Sequence, residues 1–173
     1  MQVANPKSSH VKSFCYSLSD QSPFSIPLKP ISDVPVNECF SIVPKHVLAN
    51  GGRVVTGWAI WEWPAVIIEA EFHMVWETPD KVLIDVTPKP KDFSYITFLP
   101  DSKKQYRGRQ VDNIRKPLSR SLLIKRYIET AHNIFIEMNN GDLANWRFHD
   151  PGGVKAILSL TVLYHALLHH VAT

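Results

Sequence analysis

The segment Val66–Glu77 alternates between two faces, and this alternation constrains the fold more than any other feature of the sequence. Such a period of two is typical of a β-strand with one buried face. Thr78-Pro79-Asp80-Lys81 is a turn signal, so Val82–Thr87 is predicted to return as the next strand. One face is apolar throughout (Val66, Ile68, Ala70, Phe72, Met74, Trp76), and the other holds Ile67, Glu69, Glu71, His73 and Val75.

The patterns on both sides of this hairpin predict an α+β fold. A helix should start near Glu38, with Asn37 as its cap and a bend at Pro44, and end at Asn50-Gly51-Gly52. One helix before an antiparallel sheet and two helices after it are typical of the α+β class, in which the two kinds of element are segregated. The further predicted elements are strands over Arg53–Trp63 and Phe93–Leu99 and helices over Leu118–Met138 and Val154–Val171.

The chain of 173 residues suits a single domain preceded by an arm. Residues 1–34 are rich in serine and proline, so we expect an extended segment that lies on the domain through apolar anchors such as Phe14 and Ile26. Residues 35–173 should form the α+β domain, with a core over 35–100 and a basic loop and helices over 101–173.

Composition excludes several classes of protein. An apolar fraction of 45% is globular, and no uninterrupted apolar run reaches the roughly 18 residues of a membrane span. The first residues lack the pattern of a signal peptide. Two cysteines are too few for a disulfide framework or a four-cysteine zinc site. We therefore expect a soluble cytoplasmic protein with free thiols and with neither metal nor cofactor; the oligomeric state is left open.

Positive charge is concentrated after residue 101. Between Lys103 and Arg126 nine basic residues face only Asp112. Such a stretch could bind an acidic protein or nucleic acid. A solvated loop and helix face is the commoner explanation, and there is no nucleic-acid motif, so we do not expect a nucleic-acid partner.

Three residues are placed for thiol chemistry. Cys39 lies at a predicted helix start, where the helix dipole and unpaired N–H groups favour a thiolate. His73 and Asp85 lie on the two strands of one hairpin. A three-residue turn would pair these two residues directly, and alternation favours this register because Val82, Ile84 and Val86 then join the apolar face. The pattern predicts a Cys–His–Asp triad.

This arrangement resembles known thiol hydrolases. A cysteine at a helix start, followed by a histidine and an acid or amide on adjacent strands, is similar to papain-like and transglutaminase-like enzymes, including NlpC-type peptidases and protein N-terminal glutamine amidohydrolases. Residues 51–88 also resemble an uncharacterised bacterial family with the pattern Cys…GG…GW.IWE…EAEFH.VW…D.TP, which continues in Phe98–Asp101 and Arg107–Asn113. The first resemblance implies a papain-like core.

Two functions follow as hypotheses. In the first, the chain hydrolyses an amide of a protein or peptide, with Cys39 as nucleophile, His73 as general base and acid, and Asp85 orienting the ring. Asn37 or backbone N–H groups could stabilise the oxyanion, and Glu71 could support the site. In the second, the same fold is a non-catalytic domain that binds an acidic partner through its basic C-terminal half.

Overall fold

The computed structural model describes residues 1–139 and 161–167, which form four α-helices and a seven-stranded antiparallel sheet. The predicted α+β class is confirmed, as are two helices after the sheet. The helices are α1 (Ser9–Tyr16), α2 (Cys39–Asn50), α3 (Leu122–Asn139) and α4 (residues 161–167). The strands are β1 (Gln2–Val3), β2 (Phe24–Pro27), β3 (Arg53–Trp63), β4 (Ile67–Glu77), β5 (Leu83–Ile84), β6 (Tyr95–Pro100) and β7 (Ile114–Pro117).

The long hairpin of β3 and β4 forms the centre of the sheet. Its register runs from Arg53 opposite Glu77 to Trp63 opposite Ile67. The main strand order is β2-β6-β3-β4-β5, with β1 also paired to β3 and β7 to β4.

The two edges of this order meet, so the sheet closes on itself. Leu28, just after β2, forms a parallel bridge with Asp85, just after β5. The Asp85 N–H donates to the Pro27 carbonyl at 3.0 Å, and the Lys29 N–H donates to the Asp85 carbonyl at 2.8 Å. A half-buried strand would leave the odd-numbered face of β4 in solvent, but closure of the sheet turns this face inward. Val75 is therefore buried with residues of β2, β3 and β6 (Ile26, Ala59, Trp61, Ile96, Phe98).

Helices α1 and α2 pack on the other face of the sheet, whereas α3 and α4 pack at the end of the β3–β4 hairpin. Phe14 and Cys15 of α1 pack on one end of it, with Trp58 and Phe72. Residues of α2 pack beside Met74 and the strand β5 (Cys39, Ile42, Val43). Leu167 of α4 and Ile124 of α3 pack on Trp63 and Ile67 at the far end of the hairpin, and their burial joins the C-terminal helices to the sheet (both side chains are at most 1% exposed).

The expectation that residues 1–34 are extended throughout is wrong. Helix α1 forms because no proline lies within Ser9–Tyr16, and its buried side chains Val11, Phe14 and Cys15 lie on one face. The proline-rich part does stay extended, since β2 pairs with β6. As anchors, Phe14 and Ile26 are both buried.

The start of α2 differs slightly from the expectation. Its cap position is occupied by Glu38, and Asn37 adopts a left-handed conformation with φ of 61°. The Asn37 N–H donates to the Pro88 carbonyl at 3.0 Å, which places Asn37 one residue outside the helix and against the segment after β5. Pro44 lies inside the helix, which continues to Asn50.

The C-terminal half also differs from the expectation. Residues predicted to be a basic loop include the strand β7, and α3 starts at Leu122, four residues later than predicted. Helix α3 continues to Asn139, and the rest of the predicted stop (Asn140 and Gly141) and most of the predicted helix Val154–Val171 lie outside the described residues. No helix within residues 1–139 and 161–167 is both long and apolar enough to cross a membrane.

Candidate active site

A gap in strand pairing along β4 creates the candidate site. On the side of β4 away from β3, Ile67–Ala70 pair with β7, whereas Trp76 and Glu77 pair with β5. Residues 71–75 have no strand partner on this side among the described residues. His73 lies in the middle of the gap, with its side chain 1% exposed.

The predicted contact between His73 and Asp85 is present, although the predicted register is wrong. The turn is five residues long, because Glu77 pairs with Leu83 and Trp76 with Ile84. The strand therefore slips by two residues, which keeps His73 and Asp85 on the same face but makes their contact diagonal. His73 Nε2 lies 2.9 Å from Asp85 Oδ2.

Both oxygens of the buried Asp85 carboxylate accept hydrogen bonds. Oδ2 accepts from His73, and Oδ1 accepts from the Thr87 N–H at 2.9 Å. Burial tends to raise the pKa of Asp85, but the charges and hydrogen bonds of His73, Lys89 and Thr87 together hold it below its ordinary value. Asp85 is therefore ionised at neutral pH, and His73 must bond to it through Nε2–H.

His73 is charged as well. Burial alone would lower the pKa of His73, but the Asp85 carboxylate overcomes this effect and raises the pKa to about 10, against the opposing charge of Lys89. The imidazole is therefore protonated at neutral pH. Its second nitrogen, Nδ1, is buried and makes no hydrogen bond of ordinary length and angle within the described part of the chain.

Cys39, at the start of α2, lies beside this histidine. As the first residue of α2, it is 2% exposed and packs against Met74, Ile84 and Val86. Its thiol is close enough to act on the His73 ring as a weak hydrogen-bonding group and raises the pKa of His73 further. Nucleophile and base are often loosely aligned before substrate binds.

A cleft of about 560 Å³ reaches Cys39 from solvent. Both residues predicted to support the site line it: Asn37 is exposed at its edge, and Glu71 is half-buried. The Glu71 carboxylate accepts a hydrogen bond from Trp61 Nε1 at 2.7 Å. A larger cavity of about 800 Å³ lies between residues 2–7 and 92–95, away from these side chains.

A segment that was predicted to be a basic loop forms the opposite wall of the cleft. Tyr106 stacks on Phe40 of α2 with ring centroids 4.0 Å apart. Farther along, the Asn113 side chain donates to Glu69 at 3.1 Å. The lining residues of this wall are Tyr106, Gly108, Gln110, Val111 and Asn113. Only the resemblance of Arg107–Asn113 to the uncharacterised bacterial family singled this segment out.

Lys89 also belongs to the site, although it was not among the predicted residues. Its side chain is 2% exposed, and its Nζ lies 3.5 Å from Asp85 Oδ2 and 3.4 Å from His73 Nε2. A lysine between Pro88 and Pro90, four residues after the acid, was the available signal. A buried lysine is rare unless it is paired, so its position is informative.

Comparison with protein-family models, curated proteins and solved structures found no match for this chain. The site is therefore interpreted from its own geometry.

Other candidate sites have less support. No group of three or more His, Cys, Asp or Glu side chains suited to a metal occurs in residues 1–139 and 161–167. Of the basic stretch, Lys103 pairs with Asp20, and Arg115 pairs with Glu69 and Asp112. The other seven basic side chains are exposed and form no ion pair within the described residues (Lys104, Arg107, Arg109, Lys116, Arg120, Lys125, Arg126).

Proposed function

We propose that this chain is a cysteine-dependent hydrolase or amidohydrolase with a papain-like core that acts on an amide bond in a protein or peptide. The observation that supports the proposal most is the buried His73–Asp85 pair, which holds a protonated imidazole with Nδ1 unpaired beside the thiol of Cys39. An imidazolium next to a thiol stabilises the thiolate, which is the nucleophilic form.

The roles of the three residues follow from this geometry. The Cys39 thiolate attacks the amide carbonyl carbon, and a carbon–sulfur bond forms. The imidazolium of His73 gives a proton to the leaving nitrogen as the carbon–nitrogen bond breaks, which releases an amine or ammonia and leaves a thioester. His73 then takes a proton from water, whose oxygen displaces the thiolate and yields the acid. Asp85 orients the ring and stabilises its charged form.

The start of α2 can stabilise the negative charge that develops on the carbonyl oxygen. The first N–H groups of a helix have no intrahelical acceptor, and Cys39 and Phe40 both line the cleft. The side chain of Asn37 lies at the same end of the cleft. Donors held in place before the reaction lower its barrier more effectively than mobile ones.

A peptide-library assay tests the proposal. The full chain is incubated with a mixed peptide pool, and mass spectrometry detects either the gain of water at a cleaved bond or the conversion of a side-chain amide to an acid. We expect turnover by the wild type and by Cys15→Ala, and none by Cys39→Ala. Turnover that persists in folded Cys39→Ala would contradict the proposal.

The competing hypothesis is a non-catalytic domain that binds an acidic partner. Seven exposed basic side chains without an ion pair in the described residues favour it. Its signature would be salt-sensitive binding of acidic peptides that Cys39→Ala leaves unchanged, together with an unreactive Cys39.

A further inference from the structure

The position of Lys89 extends the site beyond three residues. We propose that Lys89 is a positioning residue whose buried ammonium group favours the thiolate form of Cys39 beside the protonated His73. This inference rests on the proposed function, because it concerns the activation of the same thiol.

The segment that holds Lys89 is rigid and is tied to both ends of the site. Pro88 and Pro90 fix their own φ angles on either side of it. The Pro88 carbonyl accepts the Asn37 N–H, two residues before Cys39, and the preceding Thr87 N–H donates to Asp85. The Nζ of Lys89 lies over the Trp61 ring, 5.9 Å from its centre.

The contact of Lys89 with the site is electrostatic. Because His73 donates its Nε2 proton to Asp85, that nitrogen has no lone pair for the ammonium group, even at 3.4 Å. Lys89 pairs instead with the Asp85 carboxylate at 3.5 Å. Two cations, His73 and Lys89, therefore share one buried carboxylate.

This charge count favours an anion at Cys39. With a neutral Cys39 thiol, the buried group of His73, Lys89 and Asp85 has one uncompensated positive charge. Such a charge is costly in a site excluded from water. Ionisation of Cys39 balances it. Without the charge of Lys89, the His73–Asp85 pair would already be neutral, and the thiolate would lose part of its electrostatic support.

The other charged groups near Lys89 are paired or lie at a cavity that opens to water. They line a cavity of about 300 Å³ beside the residue and comprise Glu69, Glu71, Lys91 and the amino group of Met1. Glu69 is already paired with Arg115, whereas Glu71 keeps its charge, because its donor, the Trp61 N–H, is neutral, and its half-buried carboxylate faces the cavity. Lys91 is exposed, so water screens its charge.

The test is the pH profile of Cys39 alkylation, measured by peptide mass spectrometry with limiting iodoacetamide on the full chain. In Lys89→Met we expect the midpoint of the profile to rise by about one pH unit, so that labelling at acidic pH slows about tenfold. Lys91→Met makes the same change in net charge and should leave the midpoint unchanged. Lys89→Arg should retain a low midpoint because it keeps the charge.

The outcomes separate this inference from the proposed function. A midpoint in Lys89→Met equal to that of the wild type, or an equal shift in Lys91→Met, would overturn the role of Lys89 alone. A wild-type Cys39 that reacts only like an ordinary free thiol would overturn the proposed function as well. If Lys89→Met does not fold, Lys89→Gln decides the question, since it removes the charge and keeps a polar end near Asp85.

Discussion

At the residue scale, the central feature is a histidine that stays charged although it is almost fully buried. Burial penalises the imidazolium, and the Asp85 carboxylate, itself buried and held by the Thr87 N–H, is the main group that compensates for this cost. Such an arrangement is costly for stability unless every partner is in place. It is expected at a functional site, where a perturbed pKa serves the chemistry.

The two cysteines should differ strongly in reactivity. Burial raises the pKa of Cys15 to about 12 in the cluster beneath α1, where the side chain is 0% exposed. Cys39 lines the cleft beside a protonated histidine. Limiting iodoacetamide at mildly acidic pH should therefore label Cys39 well before Cys15, as peptide mass spectrometry would show.

His73→Ala serves as the control for this labelling experiment. It should slow the labelling of Cys39 at acidic pH without changing that of Cys15, because only Cys39 loses a neighbouring positive charge. Equal and slow labelling of both cysteines in folded wild-type protein would contradict the activated thiol.

Asp85→Asn should lower the pKa of His73. The substitution keeps the shape of the side chain and a hydrogen-bond acceptor but removes the charge that opposes desolvation. Titration of the His73 ring proton by NMR should show a fall from about 10. A His73 pKa that stays at the wild-type value in this variant would show that Asp85 is not the group that holds the proton.

At the scale of elements, the site depends on β4 having two short partners instead of one long strand. Strands β5 and β7 pair with its two ends and leave residues 71–75 open. The start of α2 and the segment from Tyr106 to Asn113 form the walls of the cleft beside this opening. The other side of β4 is supported along its whole length by β3.

Gly57 tests that support, since it lies directly opposite His73 in the β3–β4 hairpin. A Cβ atom at this position would lie 2.3 Å from the Leu99 carbonyl oxygen and 2.6 Å from the Phe98 ring, so β6 would have to move. Gly57→Ala should lower the free energy of unfolding by about 1–3 kcal/mol. Urea denaturation measures this change, and an unchanged midpoint would contradict the close approach of β6.

At the scale of the whole molecule, closure of the sheet converts a predicted solvent face into an interior. The bridge between Leu28 and Asp85 brings the edge strands together, and the inner face then holds both the apolar cluster around Phe98 and the charged site. The same closure ties the proline-rich N-terminal segment to the acid of the site. Changes in the charge of the site should therefore affect global stability.

This coupling predicts a specific pH dependence of stability. Because the folded-state pKa of His73 is raised from 6.5 to about 10, its stabilising contribution is complete below about 6.5 and is lost as the pH rises towards 10. Because the pKa of Asp85 is lowered from 3.8, its contribution is present above that value and is lost in acid.

Urea denaturation of wild type and Asp85→Asn across pH measures this contribution. Near pH 6 the variant should be less stable by about 3 kcal/mol, and the difference should shrink towards both pH extremes. A difference that does not vary with pH would mean that the pair contributes through packing alone.

The sequence by itself predicted α2, the central strands β3 and β4, and the contact between His73 and Asp85. Alternation over residues 66–77 predicts β4, because a period of two places side chains on opposite faces of a strand. Parity also decides that His73 and Asp85 share a face, whatever even slip the turn allows. The position of Cys39 at a helix start follows from local signals, including Asn50-Gly51-Gly52 at the other end of α2.

Only the tertiary structure decided the rest. The closure through Leu28, the pairing of β7 with β4 and the burial of Lys89 all depend on contacts between segments distant in sequence. Local propensity contains no information about such contacts. The raised pKa of His73 has the same origin, since the Asp85 carboxylate must outweigh both burial and the charge of Lys89, and the closure of the sheet helps to hold Asp85 in place.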